Sequence, residues 1–306
     1  YRVASVPFEL FQNADDALEE RLEIECADID YSEKQRRFVV ESSSNEIVIF
    51  HWGREVNQYR TLEGTLDGRE RGFDADLEKM LTLNVSDKGN ETTGKFGLGF
   101  KSSLLICDSP EIYSGRLAIR ITAGMLPEVS PDAEKMSSLV KQHALDGRSP
   151  TLIRLPVRPP VDISDVLSEF KRAVGLLPVF SKQIDTIVID DEEYGWKPRH
   201  SRRVEGLSFG YAALPVQGDK LRKQRVAQFK GRHGQFVFQL SGKGFVSLAE
   251  RDLPKFWVLT PLWETIPLGF IIEADFQVDV GRSQLAHTSP KNLSLMKELG
   301  WELVSF

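Results

Sequence analysis

The chain has 306 residues, of which 41% are hydrophobic and 27% are charged, so it can bury a sizeable core in one large or two smaller domains. Its formal net charge of −6 argues against a protein whose whole surface is basic for nucleic acid. Two local basic segments run from Lys197 to Arg203 and from Lys220 to Arg225. Solvated loops are their favoured interpretation, and the charge alone neither indicates nor rules out nucleic acid as a partner.

The cysteines and the lengths of the apolar runs indicate the cellular compartment of the protein. Two cysteines, Cys26 and Cys107, build no disulfide framework and are typical of a reducing environment, which predicts a cytoplasmic protein. No apolar run reaches the ~18 residues of a membrane span, so we expect no membrane partner. Because the chain begins only a few residues before its first motif, we expect it to be a portion of a longer polypeptide.

The first predicted element is an amphipathic helix over residues 5–25, with Ser5 as N-cap and Pro7 in its first turn. Glu9, Asn13 and Asp16 stand at i, i+4 and i+7 and therefore share one stripe of this helix. An Asn carbonyl oxygen suits Mg²⁺, and a Glu one turn earlier could polarise an attacking water. An exposed acidic helix face is an equally good interpretation of this segment by itself.

The following elements alternate between helix and strand and then become β-rich. Alternating apolar residues and turn signals predict these further elements: strands 37–41 and 46–52, a short helix in 74–84, a helix from Phe100 to Cys107, strands near 117–123 and 151–157, weak helix 133–141 inside an otherwise loop-like 125–149, helix 161–174, and strands 186–190, 204–213, 226–229, 235–240 and 270–280. The change from alternating helices and strands to a β-rich pattern predicts a domain boundary near residue 195.

A glycine-rich segment precedes the helix predicted from Phe100. Gly94, Gly97 and Gly99 let the backbone turn its N–H groups toward an anion, and Lys101 adds a mobile positive charge for a phosphate oxygen. The spacing of the Walker phosphate loop is absent. An ordinary loop that packs a helix onto a sheet remains the alternative, because a single glycine pattern is a weak signal.

Together these two segments resemble the GHKL ATPases, which include gyrase, heat-shock chaperones, histidine kinases and MutL. The likeness is greatest to the sacsin-type branch, whose helix Glu-Leu-x-Gln-Asn-Ala-Asp-Asp-Ala stands here at Glu9–Ala17, and whose loop Thr-Gly-x-Phe-Gly-x-Gly-Phe-x-Ser stands at Thr93–Ser102. Looser likenesses follow at Cys107–Gly115, Thr151–Pro156 and Gly269–Leu285. The resemblance implies an α+β fold: a two-layer α/β sandwich, the Bergerat ATP-binding fold, over 1–195, and a β-rich, transducer-like extension over 196–306.

The resemblance also implies roles for individual residues, with ATP and Mg²⁺ as the cofactors. Glu9 would be the general base, Asn13 the Mg²⁺ ligand, and residues 73–94 a lid over the nucleotide. Arg282 is a candidate sensor of the γ-phosphate, with a surface arginine as the favoured alternative. The positions expected to contact nucleotide are Asn13, Asp16, Ala17, His51, Gly53, Lys88, Gly94, Lys95, Phe96, Gly97, Leu98, Gly99, Phe100, Lys101 and Thr151.

One position departs from the family pattern. Relatives carry an Asp or Asn followed by Gly after the second strand, where the polar residue binds the adenine amino group. Here the strand runs into His51-Trp52-Gly53. Either His51 accepts the hydrogen bond from the amino group, or Trp52 stacks on the base, or the nucleotide pocket is degraded.

Two functions follow from these expectations. The first is a chaperone-like, Mg²⁺-dependent ATPase that drives conformational change in a larger protein. The alternative is a hydrolysis-deficient scaffold that binds nucleotide or a partner. The expected partners are ATP and either other domains of a longer polypeptide or a separate protein, with a homodimer as a further option. A kinase of the same superfamily ranks low, because the sequence has no phosphoacceptor-histidine helix.

Overall fold

The computed structural model describes residues 2–25, 33–60, 67–82, 99–216, 220–264, 266–279 and 284–305. The chain forms two compact units. The first contains Arg2–Phe170 and Lys182–Glu193, and the second contains Lys171–Ser181 and the chain from Tyr194 onward. The fold is mixed α/β, with one mixed eight-stranded sheet formed early in the chain and another formed late.

The first sheet has the strand order β5-β4-β3-β6-β2-β1-β7-β8. Its strands are β1 Arg37–Ser42, β2 Glu46–His51, β3 Glu111–Ser114, β4 Leu117–Thr122, β5 Leu126–Val129, β6 Thr151–Pro156, β7 Thr186–Ile189 and β8 Glu192–Gly195. Strands β1 and β7 are parallel, whereas the pairs from β1 across to β5 are antiparallel. Its described helices are α1 Val6–Ile24, α2 Asp76–Leu81, α3 Ala133–Gln142 and α4 Ile163–Ala173, with short 3-10 turns at Val3–Ser5, Glu33–Gln35, Arg69–Arg71 and Phe73–Ala75.

Aromatic residues hold α1 against one face of this sheet. Phe38 on β1 is fully buried, and its ring lies 5.4 Å from that of Phe11 in an edge-to-face contact. Phe170 of α4 joins them, with its ring 6.0 Å from Phe38 and 5.1 Å from Phe8. Edge-to-face pairs at these distances add to the free energy gained by burying the rings, so this cluster fixes the rotation of α1 on the sheet.

Helix α3 contacts the other face. Successive residues of a strand point to opposite faces, so Val39 faces away from the α1 side on which its neighbour Phe38 lies. Val39 belongs to a buried cluster with Phe50 of β2 and with Met136 and Val140 of α3. The first sheet therefore carries helices on both of its faces, rather than only on the side of α1.

The second sheet has the order β15-β14-β16-β12-β11-β10-β9, with β13 paired to β12. Its strands are β9 Arg199–His200, β10 Leu207–Pro215, β11 Leu221–Lys230, β12 Gly234–Ser241, β13 Gly244–Val246, β14 Phe256–Val258, β15 Thr260–Leu262 and β16 Ile271–Ala274. The helices of this unit are α5 Leu177–Phe180 and α6 Pro290–Ser305. Leu299 of α6 packs on Phe236 and Ile272 in one core cluster. None of the described helices is long and apolar enough to cross a membrane.

The structure confirms most of the predicted elements and corrects several. The helix over 5–25, the hairpin of β1 and β2, and the strands near 117–123 and 151–157 are confirmed. Ser5 makes no side-chain cap, because its hydroxyl donates to the carbonyl oxygen of Arg2. The strand expected over 270–280 covers only Ile271–Ala274, and α6 was not predicted although Leu295, Leu299 and Leu303 repeat at helical spacing. Strand β5, Leu126–Val129, lies in a segment that was predicted to be a loop. A further correction, at Phe100–Leu105, belongs to the candidate site.

We expect Phe38→Ala to lower the free energy of unfolding by about 3–5 kcal/mol, because it removes a fully buried ring that contacts both α1 and α4. Urea denaturation followed by circular dichroism measures this change. Val129→Ala is the control, since Val129 is 81% exposed on β5 and should change stability by less than about 1 kcal/mol. A Phe38→Ala effect as small as that of the control would contradict the packing described.

Candidate functional site

Helix α1 and the chain that follows β2 lie closer together than they could if residue 53 carried a side chain. A Cβ at Gly53 would lie 2.7 Å from the Cβ of Ala17 and 2.8 Å from its carbonyl carbon, so only glycine fits here. The backbone N–H of Arg54 also donates to the carbonyl oxygen of Ala17 at 2.8 Å. Two positions expected to contact nucleotide, Ala17 and Gly53, therefore lie against each other.

A buried arginine makes a second connection between α1 and the segment after β2. Arg21 is 3% exposed, and its guanidinium donates to the carbonyl oxygen of Trp52 and, at 2.9 Å, to the side-chain oxygen of Gln35. Its Nε also pairs with Glu25 at 2.9 Å. A buried charge needs this full set of partners, so the position of α1 relative to β2 is strongly determined.

Glu9 and Asn13 meet Gly99 at the start of the segment that follows the glycine-rich loop. A Cβ at Gly99 would lie 3.3 Å from Oδ1 of Asn13, 3.4 Å from its Nδ2 and 3.5 Å from Oε2 of Glu9. Glu9 is buried, whereas Asn13 is exposed. A carboxylate and a carboxamide from one helix therefore lie beside a backbone that carries no side chain of its own.

The segment after Gly99 is a 3-10 helix, Phe100–Leu105, and not the α-helix expected over 100–107. The hydroxyl of Ser102 donates to the carbonyl oxygen of Gly99 at 2.7 Å, a local bond that competes with α-helical pairing.

Lys101 lies on this 3-10 helix and is already engaged. Its Nζ donates to the carbonyl oxygen of Leu81, at the end of α2, at 3.1 Å. Partial burial lowers the pKa of this amine. Its assignment as a phosphate ligand stays a prediction and would require the amine to leave this carbonyl.

His51 does not have the free acceptor that was expected. Its side chain is buried, and the backbone N–H of Gly53 donates to its Nδ1 at 3.3 Å. Burial lowers the pKa of His51 to about 4, so the ring is neutral near pH 7. A neutral ring that accepts at Nδ1 carries its proton on Nε2, and therefore cannot accept a second hydrogen bond from an adenine amino group.

Trp52 is also unsuited to its expected role. Only 2% of it is exposed, and it packs in the core cluster that contains Phe50 and Met136. Its Nε1 has no hydrogen-bond partner among the described residues. A ring packed in this core cannot stack on a base, so the hypothesis that Trp52 replaces the missing acid is wrong.

Thr151 lies in the same row of the first sheet as His51. The two residues are paired across β2 and β6, so their side chains share a face, and His51 is paired on its other side with Phe38. The hydroxyl oxygen of Thr151 lies 2.7 Å from that of Ser114 on β3. Phe38 contacts α1, which places Thr151 on the α1 side of the sheet.

The two adjacent aspartates of the first motif have different environments. Asp16 is half-exposed and forms an ion pair of 3.1 Å with Lys182, which also pairs with Glu19. Burial raises the pKa of Asp16, and Lys182 opposes that shift. Asp15 is buried and accepts from the backbone N–H groups of Lys182, Gln183 and Ile184 at 2.9 Å each. Sequence reasoning missed this anchoring role of Asp15, which the spacing of the motif does not distinguish from that of Asp16.

Several expected positions lie outside the described residues. They are Cys26, Lys88, Gly94, Lys95, Phe96, Gly97, Leu98 and Arg282, together with most of the expected lid. Within the described part of the chain, no group of three or more His, Cys, Asp or Glu side chains is arranged to hold a metal ion. Among the described residues Asn13 is the expected ligand of Mg²⁺, which also accepts phosphate and water oxygens readily.

Comparison with models of known protein families gives no match for this chain. Comparison with curated proteins gives no match either. The likeness to the GHKL ATPases therefore rests on the motifs of the sequence, and the geometry of Glu9, Asn13 and Gly99 is an independent observation.

We expect His51 to make the protein less stable in acid. Its pKa is about 4 when folded and 6.5 in the absence of burial, so between these values only the unfolded chain binds the proton. The stabilising effect is complete above about pH 6.5 and is lost as the pH falls toward 4, by about 3 kcal/mol. The variant His51→Asn keeps an acceptor for Gly53 and does not titrate, so urea unfolding of both proteins across this range isolates the effect. Parallel pH profiles would contradict it.

Proposed function

We propose that the first unit binds ATP with Mg²⁺ and hydrolyses it. The observation that carries the proposal is the meeting of Glu9 and Asn13 with Gly99, since these residues come from the two motifs that resemble GHKL ATPases. A Cβ at Gly99 would lie within 3.5 Å of both polar groups, so glycine lets the backbone of the second motif come close to Glu9 and Asn13.

The chain's own residues divide the chemistry between them. Asn13 is exposed, so its carbonyl oxygen is accessible to a cation that bridges to the phosphates. When bound, Mg²⁺ would neutralise charge on the phosphate oxygens. Glu9 is buried one turn earlier, where its carboxylate would orient a water and take its proton as the water attacks. The shielding of Glu9 from bulk solvent strengthens this interaction.

The fold proposed for this unit is the Bergerat ATP-binding fold, with nucleotide on the α1 side of the first sheet. Phe38, His51 and Thr151 share that side. Thr151 would contact the adenine region, and α3 would be an addition on the opposite face. Closure over the nucleotide would drive conformational change in a larger, chaperone-like protein located in the cytoplasm.

A second candidate function is a scaffold that no longer hydrolyses nucleotide efficiently. The observation that favours it is the environment of His51 and Trp52, since neither side chain replaces the acid that relatives use for the adenine amino group. Such a module would bind a nucleotide weakly, or a partner protein, without turnover.

We expect Glu9→Gln to abolish ATP hydrolysis and to leave ATP binding within about threefold of the wild type, because the change removes the base and keeps the size of the side chain. Phosphate release measures hydrolysis, and calorimetry measures binding. Glu23→Gln is the matched control, since Glu23 lies on the same helix and is exposed.

The outcomes separate the two functions. Hydrolysis that survives Glu9→Gln would rule out Glu9 as the base. A wild-type protein that binds ATP but releases no phosphate would favour the scaffold. A wild-type protein that neither binds nor hydrolyses ATP would contradict the proposed site.

A further inference from the structure

One face of the second sheet combines exposed aromatic rings with basic side chains. On β10, Phe209 and Tyr211 stand two residues apart, so both point to this face. Across the sheet, Tyr211 is paired with Arg225 and Phe209 with Arg199, and paired side chains share a face. We call the surface formed by Arg199, Phe209, Tyr211, Lys223, Arg225 and Phe245 the aromatic–basic face.

The pairing across β12 and β13 extends this face. Ala227 is paired with Phe209 on one side and with Phe238 on the other. The ring of Phe238 lies 5.3 Å from that of Phe245 on β13. A continuous row therefore runs from Arg199 across four strands to Phe238 and on to Phe245.

The opposite face of the same strands is in the core over their middle part, whereas Arg222 and Lys230 near the two ends of β11 are exposed on that side. Ala212, Leu214 and Val226 alternate with the residues of the aromatic–basic face and are all buried. Gln228 on that side donates to the carbonyl oxygen of Val179 at 2.8 Å. Part of the open side is also packed, because Phe238 lies against the buried Phe236 in the core cluster that contains Leu299 of α6. Tyr211 and Phe245 stand outside that cluster, so neither core accounts for their exposed rings.

The rings of the open side are accessible. Tyr211 is 55% exposed and Phe245 is 69% exposed. Large aromatic side chains that stand out from a sheet are costly to leave in water, and clusters of them mark surfaces that bind.

The charged side chains of the strands that form this face all have one sign. The strands β9 to β13 contain Arg199, Arg222, Lys223, Arg225 and Lys230, and no Asp or Glu. Residues 194–306 carry 16 Lys and Arg against 10 Asp and Glu, although the whole chain has a net charge of −6. The part of the chain that contains this face is therefore positive, which favours a polyanion.

We propose that the aromatic–basic face binds single-stranded nucleic acid. Bases would stack on Tyr211 and Phe245, while Lys223, Arg225 and Arg199 would neutralise phosphates. A duplex keeps its bases stacked inside and cannot use the rings, and a second copy of this face would be repelled by its like charge. The exposed groups that define the face are rings and cations, so DNA and RNA strands should bind about equally.

Fluorescence anisotropy with labelled oligo(dT) and oligo(U) of about 20 nucleotides tests this on the full chain, since one such surface covers about 4–16 nucleotides. We expect Tyr211→Ala and the double variant Lys223→Gln/Arg225→Gln each to weaken binding about tenfold. The double variant should also reduce the slope of log affinity against log salt by about 1.4, because two phosphate contacts are lost.

The matched control is Arg222→Gln/Lys230→Gln, which removes the same charge from the same strand. Arg222 is paired with the buried Leu214, so it belongs to the opposite side of the sheet. Lys230 is an even number of residues away on the same strand and therefore lies on that side as well. This control should bind within about twofold of the wild type. Circular dichroism melts should show that all variants remain folded, since every changed side chain is exposed.

Four results would overturn the proposal. They are an absence of binding by the wild type, equal loss in the control and test variants, duplex DNA binding as tightly as the single strand, and polyglutamate displacing the oligonucleotide at equal charge concentration. The last result would identify an acidic protein segment as the occupant. A preference of more than about tenfold for one sugar would contradict the equal binding of DNA and RNA.

Discussion

The candidate site of the first unit depends on how closely α1 can approach the chain after β2. Gly53 permits that approach, because a Cβ there would lie only 2.7 Å from the Cβ of Ala17. The approach lets the N–H of Arg54 reach the carbonyl oxygen of Ala17 and lets the buried Arg21 reach that of Trp52. If the helix were displaced outward by a larger side chain, Glu9 and Asn13 would no longer lie beside Gly99. The geometry on which the proposed chemistry rests is thus set about two turns away from it.

The sequence predicted the elements whose signals are local. The apolar spacing of α1 and the alternation in β1 and β2 each belong to one segment, and the structure confirms them. The 3-10 helix at Phe100–Leu105 was predicted as an α-helix, because periodicity does not register the bond from Ser102 to Gly99. Helix α6 carries leucines at helical spacing, but the sequence analysis placed it within a β-rich extension and predicted no helix there.

The roles of individual side chains were harder to predict than the elements. Asp15 and Asp16 are neighbours in one motif, yet Asp15 anchors a backbone turn while Asp16 pairs with Lys182 at the surface. His51 and Trp52 were considered for base recognition because they stand where relatives carry an Asp or Asn before Gly. The burial of both side chains and the hydrogen bond from Gly53 to His51 argue against those roles. Both features arise from tertiary packing, which the sequence does not show. Site chemistry that depends on tertiary burial is therefore beyond a single sequence.

The central claim is that Asn13 connects bound ATP to Mg²⁺. Isothermal titration of the purified chain with ATP, in the presence and absence of Mg²⁺, tests it when the wild type and Asn13→Ala are measured side by side. The account predicts that Mg²⁺ tightens ATP binding by the wild type at least tenfold and has little effect on the variant, a coupling of about 1.4 kcal/mol or more. Equal Mg²⁺ dependence in both proteins, or no ATP binding by the wild type, would contradict it.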